Sequence, residues 1–266
     1  KADWDGEMTG ILQSVTGVIA GDNGREFLII ADSSICTGAS AWKVTISDGK
    51  SFDAALKKVD NNRKIAVFGI GKHLGNIFGY ADGMSYGIVS ASNYKATFFD
   101  GECAVIATDI PAEEQGTGML FNMDGEVVGM ISSSVWNDTG KNVVNAYGIS
   151  DLKPIIELLI NGKSVPYIGI YGTTVTEQLA EEHKMPSGIY VADVDPDSPA
   201  MAAGIQIGDI ICEASGEEIK DIAAYQNIVI GSSVGETMEF VGKRLGSDGY
   251  VNIKFSVVTT EKEEVK

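Results

Sequence analysis

Histidine is almost missing from this chain, with 2 in 266 residues, His73 and His183. The scarcity matters because imidazole is the commonest general base near neutral pH. There is no run of 18 apolar residues either, so neither a membrane-spanning helix nor a signal peptide is expected within it. The chain opens on Lys1 rather than Met, and a targeting or anchoring segment upstream is the corresponding expectation. Cysteine is sparse. Cys36, Cys103 and Cys212 are odd in number and far apart, which fits neither a disulfide framework nor a zinc site. They read as small buried apolar residues. Basic charge is scarce, 20 Lys and Arg against 37 Asp and Glu, a net charge of −17. Without a basic stripe to neutralise phosphates, nucleic acid is excluded as a partner. The spacing of Gly69, Gly71 and Gly75 is no nucleotide fingerprint, because no βαβ unit follows it. Asp109, Glu113 and Glu114 lack the spacing of a calcium loop and read as a solvated acidic loop. No cofactor or metal is called for.

What is present is a chain of β-branched runs, long enough for two domains. Val15–Ala20 and Glu26–Ile30 flank Gly21-Asp22-Asn23-Gly24 and read as a hairpin. Trp42–Ile46 turns at Asp48-Gly49 and resumes at Ser51–Leu56. Ile65–Phe68, Gly87–Ala91 and Ala104–Thr108 add three strands, and many short strands at this spacing argue for barrels or a sandwich. The first good helix is Leu152–Ile160, with Ser150 or Asp151 as its cap and Asn161-Gly162 as its end. After a linker, Lys163–Pro166, the pattern changes. Strands are expected at Tyr167–Tyr171, Gly188–Val194 and Gly208–Glu213, helices at Thr176–His183, Ser198–Gly204 and Ile219–Val229, and a closing hairpin from Thr237–Val241 and Tyr250–Val258. Residues 262–266 form a frayed tail.

The segment Thr108–Met130 resembles the stretch around the nucleophile of the HtrA-type, trypsin-like serine proteases. Leu120-Phe121-Asn122-Met123-Asp124-Gly125-Glu126-Val127-Val128-Gly129 follows that family's hairpin L-F-N-x-x-G-E-V-x-G. Where the family has G-N-S-G-G-P this chain has Gln115-Gly116-Thr117-Gly118-Met119, one residue shorter. The resemblance places Thr117 at the serine position and Gln115 at the oxyanion glycine. The family's strand ending in T-N-x-H-V corresponds to Ile29-Ile30-Ala31-Asp32-Ser33-Ser34-Ile35, and the resemblance puts Ser33 at the histidine position. Its D-L-A-V-L corresponds to Lys64-Ile65-Ala66-Val67-Phe68, with Lys64 at the aspartate position. The motifs A-I-G-N-P-x-G and G-I-V-S-A survive as Gly69–Gly75 and Gly87–Ala91, without the extra segment the family carries after its aspartate strand. A serine hydroxyl needs a base and a group to hold that base, and loss of one triad member costs orders of magnitude in rate. With Ser33, Lys64 and Thr117 at the three positions, the chain is expected to be a degenerate, non-catalytic member. The alternative is an active endopeptidase using a Ser33–Lys64 dyad, which needs a desolvated lysine; the plainer expectation is that Lys64 fills a vacated slot.

Residues 165–258 resemble a PDZ domain, on Gly188-Ile189-Tyr190-Val191, Ser198-Pro199-Ala200, Ala203-Gly204-Ile205 and Gly208-Asp209-Ile210-Ile211 at their family spacing. PDZ domains add a peptide as a strand and hold its C-terminal carboxylate on backbone N–H groups. The resemblance implies that Tyr167, Ile168, Gly169 and Ile170 form that loop, with Ile222, Tyr225, Gln226 and Val229 on the facing helix. Strand alternation makes at least one of Ile168 and Ile170 a core residue instead. The expected fold is mainly β, two trypsin-like antiparallel β-barrels over residues 1–162 followed by an α+β PDZ domain over 163–260 and a tail, 261–266. The implied function is a non-catalytic HtrA-like protein that binds peptide C-termini or unfolded segments in extracytoplasmic protein quality control. A third reading is a structural subunit of active HtrA proteases. The resemblance also implies a homo-trimer with contacts near Trp4.

Overall fold

The computed structural model describes residues 13–46, 49–71, 85–111, 116–132, 135 and 143–263. The chain divides into two compact units. The first holds residues 1–60, 64–92 and 105–162, and the second holds 61–63, 93–104 and 163–266. Expectations that fall on Trp4, Asp48, His73, Glu113, Glu114 and Gln115 lie outside the described residues.

Two antiparallel sheets carry the N-terminal half. The first is built from β1 (Val18–Asp22), β2 (Glu26–Asp32), β3 (Trp42–Thr45), β4 (Ser51–Asp60) and β5 (Ile65–Gly71), in the order β1-β2-β5-β4-β3. Its first turn is fixed by side chains: Asp22 Oδ1 accepts from Gly24 N at 2.7 Å and Asn23 Oδ1 from Glu26 N at 2.9 Å. This is the local bonding that makes Asx residues turn formers. β5 runs on unbroken through Phe68 and Gly69, with Ile29 opposite Phe68 and Leu28 opposite Gly69. Ile29, Ala31, Ala66, Phe68 and Ile70 form its buried cluster. The second sheet is built from β6 (Val89–Phe98), β7 (Gly101–Pro111), β8 (Gly118–Phe121), β9 (Val127–Ile131) and β10 (Val143–Gly148), in the order β6-β7-β10-β9-β8. Asn122 Oδ1 closes the β8–β9 turn by accepting from Asp124 N and Glu126 N.

Helix α1 (Ile149–Ile160) begins earlier than its sequence suggests. Its N-cap is Gly148 without a side-chain bond, so Ser150 and Asp151 lie inside the first turn rather than capping it. Burial wins over capping: Leu152, Ile155, Ile156 and Leu159 form the buried face, and burying four such side chains outweighs a cap worth about 1 kcal/mol.

The second unit carries β11 (Ile170–Val175), α2 (Glu177–His183), β12 (Gly188–Val194), α3 (Pro199–Ala203), β13 (Ile210–Ala214), β14 (Glu217–Glu218), α4 (Ile222–Gly231), β15 (Thr237–Gly246) and β16 (Gly249–Val258). The sheet order is β11-β12-β13-β15-β16, with β14 paired to β13. Thr176, Ser198 and Asp221 cap α2, α3 and α4 with side-chain bonds to Leu179 N, Met201 N and Ala224 N. Capping by Asp221 starts α4 at Ile222, three residues later than apolar spacing predicts. Its core includes Ile168, Ile170, Ile189, Val191, Ile211, Ile222, Tyr225, Val229 and Phe240. Cys103 is buried, whereas Cys36 and Cys212 are only half-buried.

Candidate functional site

Of the protease-like positions, Ser33, Lys64 and Thr117 lie among the described residues. Ser33 is buried at the start of a 3-10 turn (Ser33–Cys36) that follows β2. Its backbone N–H donates to the carbonyl of Lys64 at 2.9 Å. Lys64 meets it through main chain only: the residue turns with φ 59°, and its side chain is exposed. The desolvation that would make a lysine a base is therefore absent. Thr117 is half-buried just before β8, and among the described residues no side-chain hydrogen bond links Ser33, Lys64 and Thr117. His183 is exposed on α2.

Nothing in the sequence around Asp32 signals its role. Its Oδ1 accepts from Ser34 N at 2.9 Å, and its Oδ2 accepts from Ser132 Oγ at 2.6 Å, with Asp32 and Ser132 both buried. A carboxylate satisfied by two donors holds the 3-10 turn in place.

The second unit holds the more developed site. Tyr167 pairs with Thr260 across an isolated bridge, and the chain then turns at Gly169, φ 95°. A Cβ at Gly169 would stand 2.6 Å from Ser198 Oγ, so the turn admits glycine alone. It aims three successive N–H groups at one carboxylate, the side chain of Asp100. Ile168 N and Gly169 N donate to Oδ2 at 2.7 and 2.8 Å, and Ile170 N donates to Oδ1 at 3.0 Å. Tyr225 on α4 donates its hydroxyl to Oδ1 at 2.7 Å. Four donors converge on the carboxyl group, which suits a carboxylate and no neutral ligand. Burial holds the Asp100 carboxyl above the ordinary carboxylate range, against the opposing pull of the Gly169, Ile168 and Ile170 N–H groups and the Tyr225 hydroxyl. The Tyr225 phenol lies well above its usual value, through burial first and then the Asp100 charge.

The eight residues expected to bind peptide do meet here, though not all as groove walls. Ile168 and Ile170 are both fully buried, so their side chains are core and their N–H groups are the working part. Ile222 and Val229 pack in the same core. Tyr225 contributes its hydroxyl to the site and its ring to Phe240, centroids 6.4 Å apart. Gln226 accepts Glu102 N at 2.8 Å. Tyr167 donates to Asp195, which Lys262 also contacts. Burial opposes ionisation of Asp195, but the bonds from Lys262 and Tyr167 hold its carboxyl below the ordinary range.

Comparison with known proteins agrees with both halves. A PDZ-domain family model matches residues 190–244. A "Probable periplasmic serine endoprotease DegP-like" of Halomonas elongata is 26% identical over 90% of this chain and 55% of its own length. "Serine protease Do-like HtrA" of Bacillus subtilis is 28% identical over 91% of this chain and 62% of its own. The chain thus spans little more than half the length of these curated relatives. Among solved structures, "HtrA-type protease AlgW with decapeptide" superposes with a TM-score of 0.57 at 20% identity, covering 94% of this chain and 83% of that one. The serine endoprotease from Yersinia pestis gives 0.53 at 22% identity, covering 93% and 88%. Across its length this chain is similar in sequence to the HtrA/DegP-type serine proteases and shares the fold of their solved structures, and its second unit carries the match to a PDZ domain.

Proposed function

We propose that this protein is a non-catalytic relative of the HtrA proteases that binds peptide C-termini or unfolded segments through its PDZ loop, in extracytoplasmic protein quality control. The observation that carries the reading is the convergence of the Ile168, Gly169 and Ile170 N–H groups on one carboxylate. A peptide C-terminus presents the same chemical group, and backbone donors fix it without demanding a particular sequence. Tyr167, Ile168, Gly169 and Ile170 supply the loop, and Tyr225 and Gln226 supply polar contacts from α4. Ile222 and Val229 support the helix from beneath.

The non-catalytic part of the proposal rests on the exposed Lys64 side chain and on the main-chain bond that ties Ser33 to Lys64. Neither Ser33 nor Thr117 has a base beside it among the described residues. Location outside the cytoplasm is proposed from the periplasmic relatives.

The test has two arms on the full chain. A short labelled peptide ending in a free apolar residue should bind, and amidation of that C-terminus should abolish binding. A fluorophosphonate probe should label no serine or threonine specifically. Binding that survives amidation overturns the carboxylate-loop mechanism. Labelling lost on Ser33→Ala or Thr117→Ala overturns the non-catalytic reading.

A further inference from the structure

The donor set that should receive a peptide C-terminus is already filled by this chain's own Asp100. This residue sits at the two-residue turn joining β6 to β7, with Phe99 before it and φ 58° at Asp100 itself. Residues 93–104 group with the PDZ unit in the compact division of the chain. The tip makes more than a side-chain contact. Asp100 N donates to Ile170 O at 2.7 Å, a main-chain pairing of the kind an added strand makes. Glu102 N donates to Gln226 Oε1 at 2.8 Å, which ties the tip to α4 as well. Phe99 stands edge-on to Tyr167 and Tyr171, centroids 6.4 and 5.9 Å away, and Lys262 Nζ lies 4.6 Å from the Phe99 ring centre. Asn62 donates to the Phe99 carbonyl at 2.7 Å.

A carboxylate on three loop amides, a main-chain bond to the edge of β11 and a contact with α4 are the elements of peptide capture, met here by a hairpin tip. We propose that the 99–102 tip is an internal ligand of the carboxylate loop, so that a peptide C-terminus binds only by displacing Asp100. The proposal rests on the peptide-binding reading given above and adds a regulatory step to it. Because the tip is tethered, it competes as an intramolecular ligand whose effective concentration does not fall on dilution. A peptide then sees its intrinsic dissociation constant divided by the fraction of molecules with the tip out. For a minor open state of about 1 to 10%, the loss is roughly 10- to 100-fold.

The composition of the site suits a latch rather than a permanent tie. The loop amides are satisfied by the tip when it is in and by a peptide or water when it is out. No covalent bond holds the tip in place. A displacing peptide carboxylate offers the three loop amides the same acceptor that Asp100 does.

The experiment compares the full wild-type chain with Asp100→Ala, using a short labelled peptide ending in valine, with its carboxylate free or amidated. Amide exchange at Ile168, Gly169 and Ile170 is followed alongside. The expected result is a roughly 10- to 100-fold tighter complex for Asp100→Ala with the free peptide alone. Exchange at the three amides should be faster in that variant and slow again on adding millimolar acetate. Asn62→Ala removes the bond to the Phe99 carbonyl without touching the carboxylate loop, so it should tighten the free peptide in the same direction by a smaller factor. This second variant keeps the idea testable should Asp100→Ala not fold. Equal affinity for the free peptide in wild type and variants, with amidation still abolishing it, overturns the latch and leaves the binding site standing. No binding to any form, with exchange nonetheless accelerated, sinks the peptide-binding reading and reduces the tip to a structural tie.

Discussion

Replacing Asp209 by Asn should weaken the PDZ unit more than any other single-atom change in it. Asp209 is fully buried at the start of β13, and its two oxygens receive Arg244 side by side, Nε to Oδ1 at 2.6 Å and Nη2 to Oδ2 at 2.7 Å. Gln206 N adds a third bond to Oδ2 at 2.9 Å, and Arg244 also donates to the Gly204 carbonyl at 3.0 Å. The pair therefore pins the α3–β13 connection to β15. Breaking a buried ion pair by removing one partner costs about 3–5 kcal/mol. The arginine side chain is 33% exposed and regains some water, so about 2–4 kcal/mol is the better expectation. At 1.36 kcal/mol per tenfold, that is roughly a 30- to 1,000-fold rise in the population of the opened unit. Native-state amide exchange at Ile189, Ile211 and Phe240, in strands β12, β13 and β15, reads this population for the PDZ unit alone. Global melting would mix two units and lose the two-state assumption. Replacing both partners by apolar residues should cost less than the Asn change, because no unpaired charge is left behind. A rise below threefold for Asp209→Asn would refute the assignment of the pair as the main polar tie of the unit.

Gly169→Ala should cost about 1–3 kcal/mol through the φ of 95° alone, and should abolish peptide binding because its Cβ collides with Ser198; a variant that binds peptide normally would show that the loop is not built on this turn. Lys64→Met and Ser33→Ala should both leave casein turnover and fluorophosphonate labelling at background, the same as wild type, and turnover that disappears in either would restore the dyad. Tyr167 and Tyr225 are held above the ordinary phenol range by burial, with the neighbouring carboxylates adding to it. The folded chain then keeps protons that the unfolded chain releases, so the stability they contribute is complete below about pH 10 and is lost as pH rises beyond it. Absorbance titration should accordingly show these two of the nine tyrosines ionising only with alkaline unfolding, and nine ionising near pH 10 in a native protein would contradict it.

The parts of this protein legible in its sequence are those fixed by local chemistry. The turn at Asp22-Asn23-Gly24, the cap at Ser198 and the left-handed end at Gly204 each depend on residues within four positions of one another. The PDZ loop is legible for the same reason, since Tyr167-Ile168-Gly169-Ile170 carries its own geometry. The site's present occupant is not, because Asp100 meets Ile168 across 68 positions and Tyr225 across 125. Nothing local to Asp100-Gly101 points to these partners. At Gly101 a Cβ would stand 2.6 Å from Gln226 Cδ, against the same α4 residue that accepts Glu102 N. A side chain there would have to move the Gln226 amide or the tip. Gly101→Ala should therefore push the tip away while leaving the Asp100 carboxylate intact. Its stability cost should be about 1–3 kcal/mol, and the free-carboxylate peptide should bind about 3- to 30-fold tighter as the open fraction grows. Native-state amide exchange in the second unit and fluorescence anisotropy, both on the full chain, measure the two effects separately. A destabilised variant whose peptide affinity is unchanged would mean that the tip can shift without leaving the loop, and that contact with Gln226 is no part of what keeps it closed.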